Sequence, residues 1–282
     1  NVARNLARLG TRVAFLGAVG GDPFGVFLRD VLAADGVDTS ALLTVADVPT
    51  TLAFVHLEQG GERTFSFVRS PGADTCLRAA DVPRALVAGA DVLHAGSLSL
   101  THPASSGALH HALDIAESSG VTISFDVNLR PLLWDDLSRA RGEIVSVLKR
   151  SNLAKISEDE LHFVLPDTAH LSVLQGARVM MQAFPSIRLL AITMGAYGSL
   201  VMARSSSGSL AEIRVPGICV AVVDTTGAGD TYCAALLHMV LRAGGLDEII
   251  ASQAALCNAA NFSGKLASES VTSRGAVTIS GR

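Results

Sequence analysis

Charge, cysteine and long apolar runs are all scarce in this chain of 282 residues. Charged residues make up 17%, the net charge is −4 and no long basic run occurs, which argues against nucleic acid or an anionic membrane as the main partner. No stretch reaches the roughly 18 consecutive apolar residues that a membrane-spanning helix needs. The four cysteines are far apart without a CxxC pair, so we expect reduced, mostly buried thiols and a cytoplasmic location.

Apolar residues, in contrast, make up 49% of the chain, enough for a large core. From residue 91 onward, short apolar runs alternate with helical patterns, which predicts an α/β fold with a mostly parallel central sheet and helices on both faces. We expect a single domain over residues 1–282. The predicted strands are 92–95, 121–125, 154–156, 189–193 and 199–203, and the predicted helices are 106–118, 142–150 and 171–183.

The N-terminal third predicts a helix over 1–10, a strand over 11–16, a turn over 17–22 and a helix over 24–35. The turn has the letters GAVGGD, which are not the GxGxxG fingerprint of a dinucleotide-binding dehydrogenase. A dehydrogenase is the alternative interpretation of this turn, and titration with NAD would test it. Two β-rich segments, 51–57 and 64–68, flank the turn residues 59–62 and predict a hairpin.

The most informative stretch is residues 223–230, VDTTGAGD. It lies between one or two predicted short strands over 213–223 and a predicted helix over 231–241. Glycines at a helix N-terminus leave amides uncovered beside the positive end of the helix dipole, which suits an anion such as a phosphate. Asp230 would crowd that anion, so a proton-accepting role is one interpretation. The other is an aspartate that caps the helix, with glycines that only make the turn.

This octapeptide resembles the DTxGAGD signature of the ribokinase-like (PfkB) family of carbohydrate kinases. The resemblance implies a ribokinase-like fold, with a small β-sheet lid at approximately residues 50–68. It also implies ATP-dependent transfer of the γ-phosphate to a primary hydroxyl of a small sugar. In that family Asp230 corresponds to the base, and the amides of Gly227, Ala228 and Gly229 correspond to the anion hole.

Further roles follow from the same resemblance. Asp224 and Thr226 match positions that hold a monovalent cation, such as K⁺. The segment 126–134, DVNLRPLLW, resembles the DxNxRxxLW element of fructokinases and 2-keto-3-deoxygluconate kinases. It implies that Asn128 binds substrate hydroxyls and Arg130 stabilises the transferred phosphoryl group. The alternative is that these are ordinary loop residues at a strand end.

The segment Ser157-Glu158-Asp159-Glu160 fits the family's Asn-x-x-Glu motif, with serine in place of asparagine. Glu160 is therefore expected to help hold Mg²⁺, partly through water, because Mg²⁺ prefers oxygen ligands. A capping box at a helix start is a compatible interpretation of the same residues.

Two residues are expected to meet the sugar from the N-terminal third. Asn1 corresponds to a sugar-contacting asparagine, and Arg69 lies in a segment similar to the Phe-x-x-Arg-x-Pro-x-Ala-Asp of fructokinases. A solvated arginine beside a turn is the alternative for Arg69. The family's first strand, glycine pair and early aspartate precede the asparagine, so we expect the chain to be a fragment.

The nucleotide-binding site is predicted from the TxGxxG turn of residues 193–198, from Asn258 within a predicted helical stretch over 246–262, and from residues already named. A glycine turn between two strands is an alternative for 193–198. The predicted nucleotide-binding residues are Ser157, Thr193, Gly195, Gly198, Gly227, Gly229 and Asn258.

These expectations describe a kinase that uses ATP and Mg²⁺, with fructose as the first candidate substrate. A 2-keto-3-deoxygluconate kinase is the alternative, in which Arg69 would meet the acidic sugar. A protein that has lost catalysis and serves a structural or regulatory role is the alternative of another class. The hairpin edge also offers a surface for a homodimer through the lid.

Overall fold

The computed structural model describes residues 1–57, 63–69 and 71–279. The N-terminal part forms helices α1 (Val2–Arg8) and α2 (Pro23–Ala34) and strands β1 (Gly17–Gly20), β2 (Leu42–Val45), β3 (Leu52–Leu57) and β4 (Arg63–Val68). Strands β1 and β2 pair in parallel, whereas β3 and β4 pair antiparallel. The predicted pairing of the two hairpin strands is therefore confirmed, whereas the predicted turn residues 59–62 lie outside the described residues.

The predictions for residues 11–22 are wrong. Ala14 forms a single bridge with Asp38, and the strand is β1, which was expected to be a turn. Close packing explains the glycines, since a methyl carbon on Gly20 would lie 2.6 Å from the backbone nitrogen of Thr50. Glycine here permits the backbone to approach its neighbours, and from sequence this use is indistinguishable from a turn.

The central sheet has six strands in the order β10-β9-β8-β7-β6-β5. Its members are β5 (Val92–Gly96), β6 (Thr122–Asp126), β7 (Leu153–Ser157), β8 (Leu189–Thr193), β9 (Ser199–Arg204) and β10 (Leu210–Val215). Strands β5 to β8 are parallel, and β9 and β10 run antiparallel. The expected mostly parallel sheet is confirmed.

Helices cover both faces of this sheet. They are α3 (Arg84–Ala88), α4 (Pro103–Ser119), α5 (Leu137–Leu148), α6 (Glu158–Val164), α7 (Val173–Ala183), α8 (Ala228–Arg242), α9 (Leu246–Ala251) and α10 (Gln253–Ser270). Strand residues alternate between two cores: Leu190 and Ile192 pack with residues of α4 to α7, whereas Leu189 and Ala191 pack with residues of α1, α8, α9 and α10. No helix in the described ranges is long and apolar enough to span a membrane.

Several predicted boundaries need correction near the C-terminus. Of the one or two short strands expected over 213–223, the structure forms β10, which ends at Val215, and residues 216–223 form no strand. Helix α8 begins at Ala228 rather than at 231, so Asp230 lies in its first turn. The expected helix over 246–262 is two helices, because Ser252 is extended and its hydroxyl accepts the Ala255 amide at 3.2 Å.

The expectation of mostly buried thiols is also wrong. Cys233 is buried on α8, whereas Cys219 is exposed and Cys76 and Cys257 are half-buried. Cys219 lies in the irregular segment after β10, which carries no apolar periodicity to bury it.

Candidate active site

The first turn of α8 lies over the carboxyl ends of the parallel strands. Asp126, the last residue of β6, stands opposite Lys155 of β7 in the sheet register. A methyl carbon on Gly229 would lie 2.9 Å from Lys155 Nζ. Cys233 Sγ lies 4.0 Å from His94 Nε2 on β5. Ligands of open α/β sheets bind at this edge, so the structure brings the glycine motif to the place where a ligand is expected.

Gly227 determines how the chain enters α8. It is the N-cap residue and has φ +78°, and a methyl carbon on it would lie 2.3 Å from the Ala276 carbonyl oxygen. A residue with a side chain would therefore be strained by both conformation and contact.

Asp224 and Thr226 tie this entry loop to the tail. Asp224 Oδ1 accepts from the Thr226 amide at 2.8 Å and from its hydroxyl at 2.6 Å, and Asp224 Oδ2 accepts from the Gly275 amide at 3.0 Å. The Val223 amide donates to the Val271 carbonyl at 2.8 Å. The two residues predicted to hold a monovalent cation are thus adjacent to each other and to the tail, and the cation itself stays a prediction.

The N-terminus of α8 presents backbone donors. No described side chain caps the helix, and its first internal bond runs from the Thr231 amide to the Gly227 carbonyl at 2.8 Å. The Ala228 amide, one of the predicted anion-hole donors, is directed instead at the Thr225 carbonyl at 3.3 Å. The amides of Gly227 and Gly229 form no hydrogen bond with a described residue. With the dipole of a 15-residue helix behind them, these donors suit a phosphate.

Helix α1 meets this first turn with two asparagines one helical turn apart. Asn1 Nδ2 donates to Asp230 Oδ2 at 2.6 Å. Asn5, fully buried, donates from Nδ2 to Thr231 Oγ1 at 3.1 Å. The predicted substrate-binding Asn1 and the predicted base Asp230 are therefore brought together, and Asn5 is a supporting residue that sequence reasoning missed.

A buried ion pair lies beneath α8. Lys155 Nζ is 3.1 Å and 3.3 Å from the two carboxylate oxygens of Asp126, and both side chains are almost inaccessible. Burial raises the pKa of Asp126 to about 6, although Lys155 works against that rise. Burial alone would lower the pKa of Lys155, but the carboxylates of Asp126 and Glu160 outweigh it and raise that pKa. Within the pair, Lys155 favours the ionised form of Asp126, and Asp126 favours the charged form of Lys155.

Neither member of this pair was singled out as a site residue from the sequence. The available signal was a lysine inside the apolar strand segment LAKIS. A charged residue at a buried strand position needs a partner, and the carboxylate at the end of the neighbouring strand provides it.

Glu160 connects the ends of β6 and β7. Its Oε1 accepts the Leu129 amide at 2.7 Å, and its Oε2 accepts the Ser157 amide at 2.8 Å. The Ser157 hydroxyl accepts the Glu160 amide at 3.3 Å, so the predicted capping box is confirmed. Glu160 thereby tethers the loop that carries the predicted substrate residues.

Asn128 and Arg130 stand in that loop. Asn128 is the one non-glycine residue in the described ranges with positive φ, +37°, and its carbonyl accepts from the Ser97 hydroxyl at 3.3 Å. Its half-buried side-chain amide has no hydrogen-bond partner among the described residues. Arg130 Nη1 donates to the Leu129 carbonyl at 3.1 Å. The conformation of Asn128 is of the kind that clusters at ligand sites.

The described residues contain no group of three or more His, Cys, Asp or Glu side chains arranged to hold a metal ion. A single carboxylate, that of Glu160, still fits Mg²⁺, because this ion keeps several waters and binds mainly through phosphate oxygens and one or two carboxylates. Each Glu160 oxygen accepts one backbone amide and keeps a second acceptor site for a metal-bound water.

On the predicted nucleotide side, Thr193 ends β8 opposite Ser157 in the register. Gly195 and Gly198 have φ of +55° and +92°, and the Met194 amide donates to the Gly198 carbonyl at 2.8 Å. These glycines make a turn between β8 and β9, as the alternative interpretation held. Asn258 is exposed on α10.

The Arg69 side chain is held by hydrogen bonds within the protein. Its Nε and Nη2 donate to Asp74 Oδ2 at 2.9 Å and 2.6 Å, and its Nη1 donates to the Thr101 hydroxyl at 2.8 Å. The side chain is only 9% exposed, so Arg69 is not the solvated arginine of the alternative interpretation. Its geometry is that of a brace between the end of β4 and the Ala73–Cys76 turn.

Comparison with known proteins identifies the chemistry of this site. The family of pfkB carbohydrate kinases matches residues 1–280. Fructokinase-1 of Oryza sativa subsp. japonica is 38% identical over 242 residues, which cover 86% of this chain and 72% of that protein. Two bacterial crystal structures also match, and their descriptions name their ligands.

Fructokinase from Vibrio cholerae O395, described as bound to fructose, ADP and calcium ion, has a TM-score of 0.85 and 31% identity over 99% of this chain and 85% of that one. Fructokinase with bound ATP from Xylella fastidiosa has a TM-score of 0.87 and 30% identity over 99% of this chain and 84% of that one. These findings confirm the ribokinase-like fold and show an ATP-binding sugar kinase, a phosphotransferase with an alcohol group as acceptor. The chain belongs to the pfkB family of carbohydrate kinases.

Proposed function

We propose that this chain is a fructokinase, which transfers the γ-phosphate of ATP to a primary hydroxyl of fructose. The observation that carries the proposal is the position of Asp230, a carboxylate in the first turn of an uncapped helix and hydrogen-bonded to Asn1. The proton acceptor, Asp230, and the anion site formed by backbone amides therefore lie within one turn of α8. The similar fructokinases, including one described as bound to fructose, support fructose as the acceptor.

In the proposed mechanism, Asp230 accepts the proton of the attacking hydroxyl. Asn1 donates to Asp230 Oδ2, so the sugar hydroxyl would meet Oδ1, which accepts no hydrogen bond from a described residue. General-base help of this kind contributes about 10²–10⁴-fold to the rate. Asn128 would bind other hydroxyls with its unpartnered amide.

The transferred phosphoryl group would meet the amides of Gly227 and Gly229, with Arg130 as a further cation. Preorganised donors stabilise charge that develops in the transition state. Mg²⁺, when bound, would neutralise charge on the phosphates. Glu160 would accept a hydrogen bond from a water bound to that ion. Asp224 and Thr226 would hold a K⁺ ion that steadies the entry loop.

The alternative substrate, 2-keto-3-deoxygluconate, needs a cation for its carboxylate. Arg69 was the candidate, but its guanidinium already forms an ion pair with Asp74 and a hydrogen bond to Thr101. A buried, paired arginine is a poor partner for a second carboxylate, since two like charges would share it. The structure therefore favours a neutral sugar.

We also infer that the β3–β4 hairpin is the lid, and that it pairs with a second copy of this chain. Phe54 and Val68 lie on the same face of the hairpin and are 51% and 54% exposed. Exposed apolar side chains on a two-stranded sheet indicate a contact surface. Sedimentation of the Phe54→Ser and Val68→Ser double variant tests this, because it should shift a dimer to monomer.

The function is tested by ADP release from ATP and Mg²⁺ with fructose, 2-keto-3-deoxygluconate, ribose or no sugar. Turnover with fructose far above the no-sugar rate is expected. Turnover with the acidic sugar alone would refute the fructose assignment and leave the sugar-kinase class intact. A folded protein that binds ATP and is silent with every sugar would favour the non-catalytic alternative.

A further inference from the structure

Lys155 lies at the candidate active site but has no role in the proposed mechanism. It projects from β7 under the first turn of α8 and is held there by Asp126 of β6. Its side chain is 6% exposed and that of Asp126 is 3% exposed. A charged pair so far from water needs a role that outweighs its desolvation, because apolar residues of similar volume often stabilise a core as well or better.

Gly229 shows what the pair supports. Lys155 Nζ lies 2.9 Å from the site of a methyl carbon on Gly229, and Lys155 Cε lies at 3.7 Å. Among the described residues, no other atom outside the helix comes within 4 Å of that point. The ammonium therefore bounds the space beneath Gly229, one residue before Asp230. The pairing of β6 with β7 fixes the position of this ammonium, since Asp126 and Lys155 are directly opposite in the register.

Other charged and titratable groups surround this ammonium. Glu160 on α6 and Cys233 on α8 act on Lys155, and Asp230 acts on Asp126. The carboxylates of Asp126 and Glu160 favour the charged form of Lys155. It therefore stays in place as a support of fixed charge and position.

We propose that Lys155 is a positioning residue of the phosphotransfer site, which acts by holding Gly229 and thus the direction of the first-turn amides and of Asp230. This inference rests on the proposed role of Asp230 and adds the residue that places it. A misplacement of about 1 Å far from the reacting atoms can cost 10²-fold in rate, so the first turn of α8 needs such a support.

The test is a mutant cycle between Gly229→Ala and a neutral version of the pair, Asp126→Asn with Lys155→Met. Methionine ends where Lys155 Cε lies, so it removes the atom at 2.9 Å and keeps the ordinary contact at 3.7 Å. The neutral pair avoids the unpaired buried carboxylate that Lys155→Met alone would leave. Gly142→Ala on α5 is the matched glycine control, because Gly142 is exposed and, beyond its own stretch of helix, no described atom lies within 4 Å of the added methyl.

Two readouts are measured for each variant: Tm without substrate, and kcat and KM with the sugar that the wild type accepts best. Gly229→Ala should lower both Tm and kcat, with kcat falling about 10²-fold. The neutral pair should lower kcat with little change in the KM for the sugar. In the neutral-pair background, Gly229→Ala should cause a far smaller further loss of both quantities.

If the effects on kcat simply multiply, the positioning role is overturned, even where the Tm values show the contact to be real. If the neutral pair leaves kcat at the wild-type value, the role is overturned as well. The Tm cycle needs no substrate, and the kinetic cycle uses whichever sugar reacts. Failure of the fructose assignment is therefore distinguishable from failure of this inference.

Discussion

Replacing Gly227 with alanine tests the idea that this glycine sets the start of α8. Alanine in the left-handed region costs about 1–2 kcal/mol. Its methyl would also lie 2.3 Å from the Ala276 carbonyl oxygen, so the entry loop and the tail must separate.

That separation strains two hydrogen bonds, from the Val223 amide to the Val271 carbonyl and from the Gly275 amide to Asp224. Each contributes about 0.5–1.5 kcal/mol. We therefore expect Gly227→Ala to lower the free energy of unfolding by about 2–5 kcal/mol. It should also lower kcat by about 10²-fold, because the first-turn amides and Asp230 move together.

The assay is urea unfolding followed by tryptophan fluorescence, since the chain has one tryptophan, with ADP release measured on the same samples. Gly142→Ala is the control, and it should stabilise slightly because it adds a good helix former at an open position. Equal stability and kcat in the two variants would refute the reasoning.

Two further predictions concern titratable groups. Burial lowers the pKa of His94 to about 4, so its folded form stays neutral while the unfolded form takes up a proton below about pH 6.5. Tm should therefore fall as pH drops from about 6.5 to about 4, and His94→Gln should reduce that fall; an unchanged pH dependence would contradict the burial of His94. Hydrogen bonds from Thr50 and Gly25 lower the pKa of Asp22, the N-cap of α2. Asp22→Ala should lower Tm at pH 7 more than the exposed control Asp47→Ala does, and the difference should shrink as pH falls below about 4, through the lowered pKa.

The parallel core was predictable because apolar runs and helical periods alternate along the chain. The strand over residues 189–193 has the predicted bounds, since it is apolar up to its last residue, Thr193, and is followed by a glycine turn. Strand β1 was missed because its Gly20 serves close packing against the backbone around Thr50, which lies 30 residues away. Local chemistry cannot distinguish that use from a turn.

For the candidate site, the motif pointed to Asp230 and Asn1, and the structure places them in contact although 229 residues separate them. The ion pair of Asp126 and Lys155 could not be recognised as part of the site, because it depends on the strand register. Arg69 was expected to meet the sugar, with a solvated arginine as the alternative, because its partners Asp74 and Thr101 are set by tertiary packing and are not visible in the local sequence.

The most direct measurement of the central claim is kcat for ADP release by Asp230→Asn with saturating fructose, ATP and Mg²⁺. Asparagine keeps the shape and can still accept the hydrogen bond from Asn1, so only the proton-accepting ability is lost. The account predicts a fall in kcat of about 10²–10⁴-fold with Tm and the KM for fructose little changed. A variant that folds and retains wild-type kcat would contradict the assignment of Asp230 as the base.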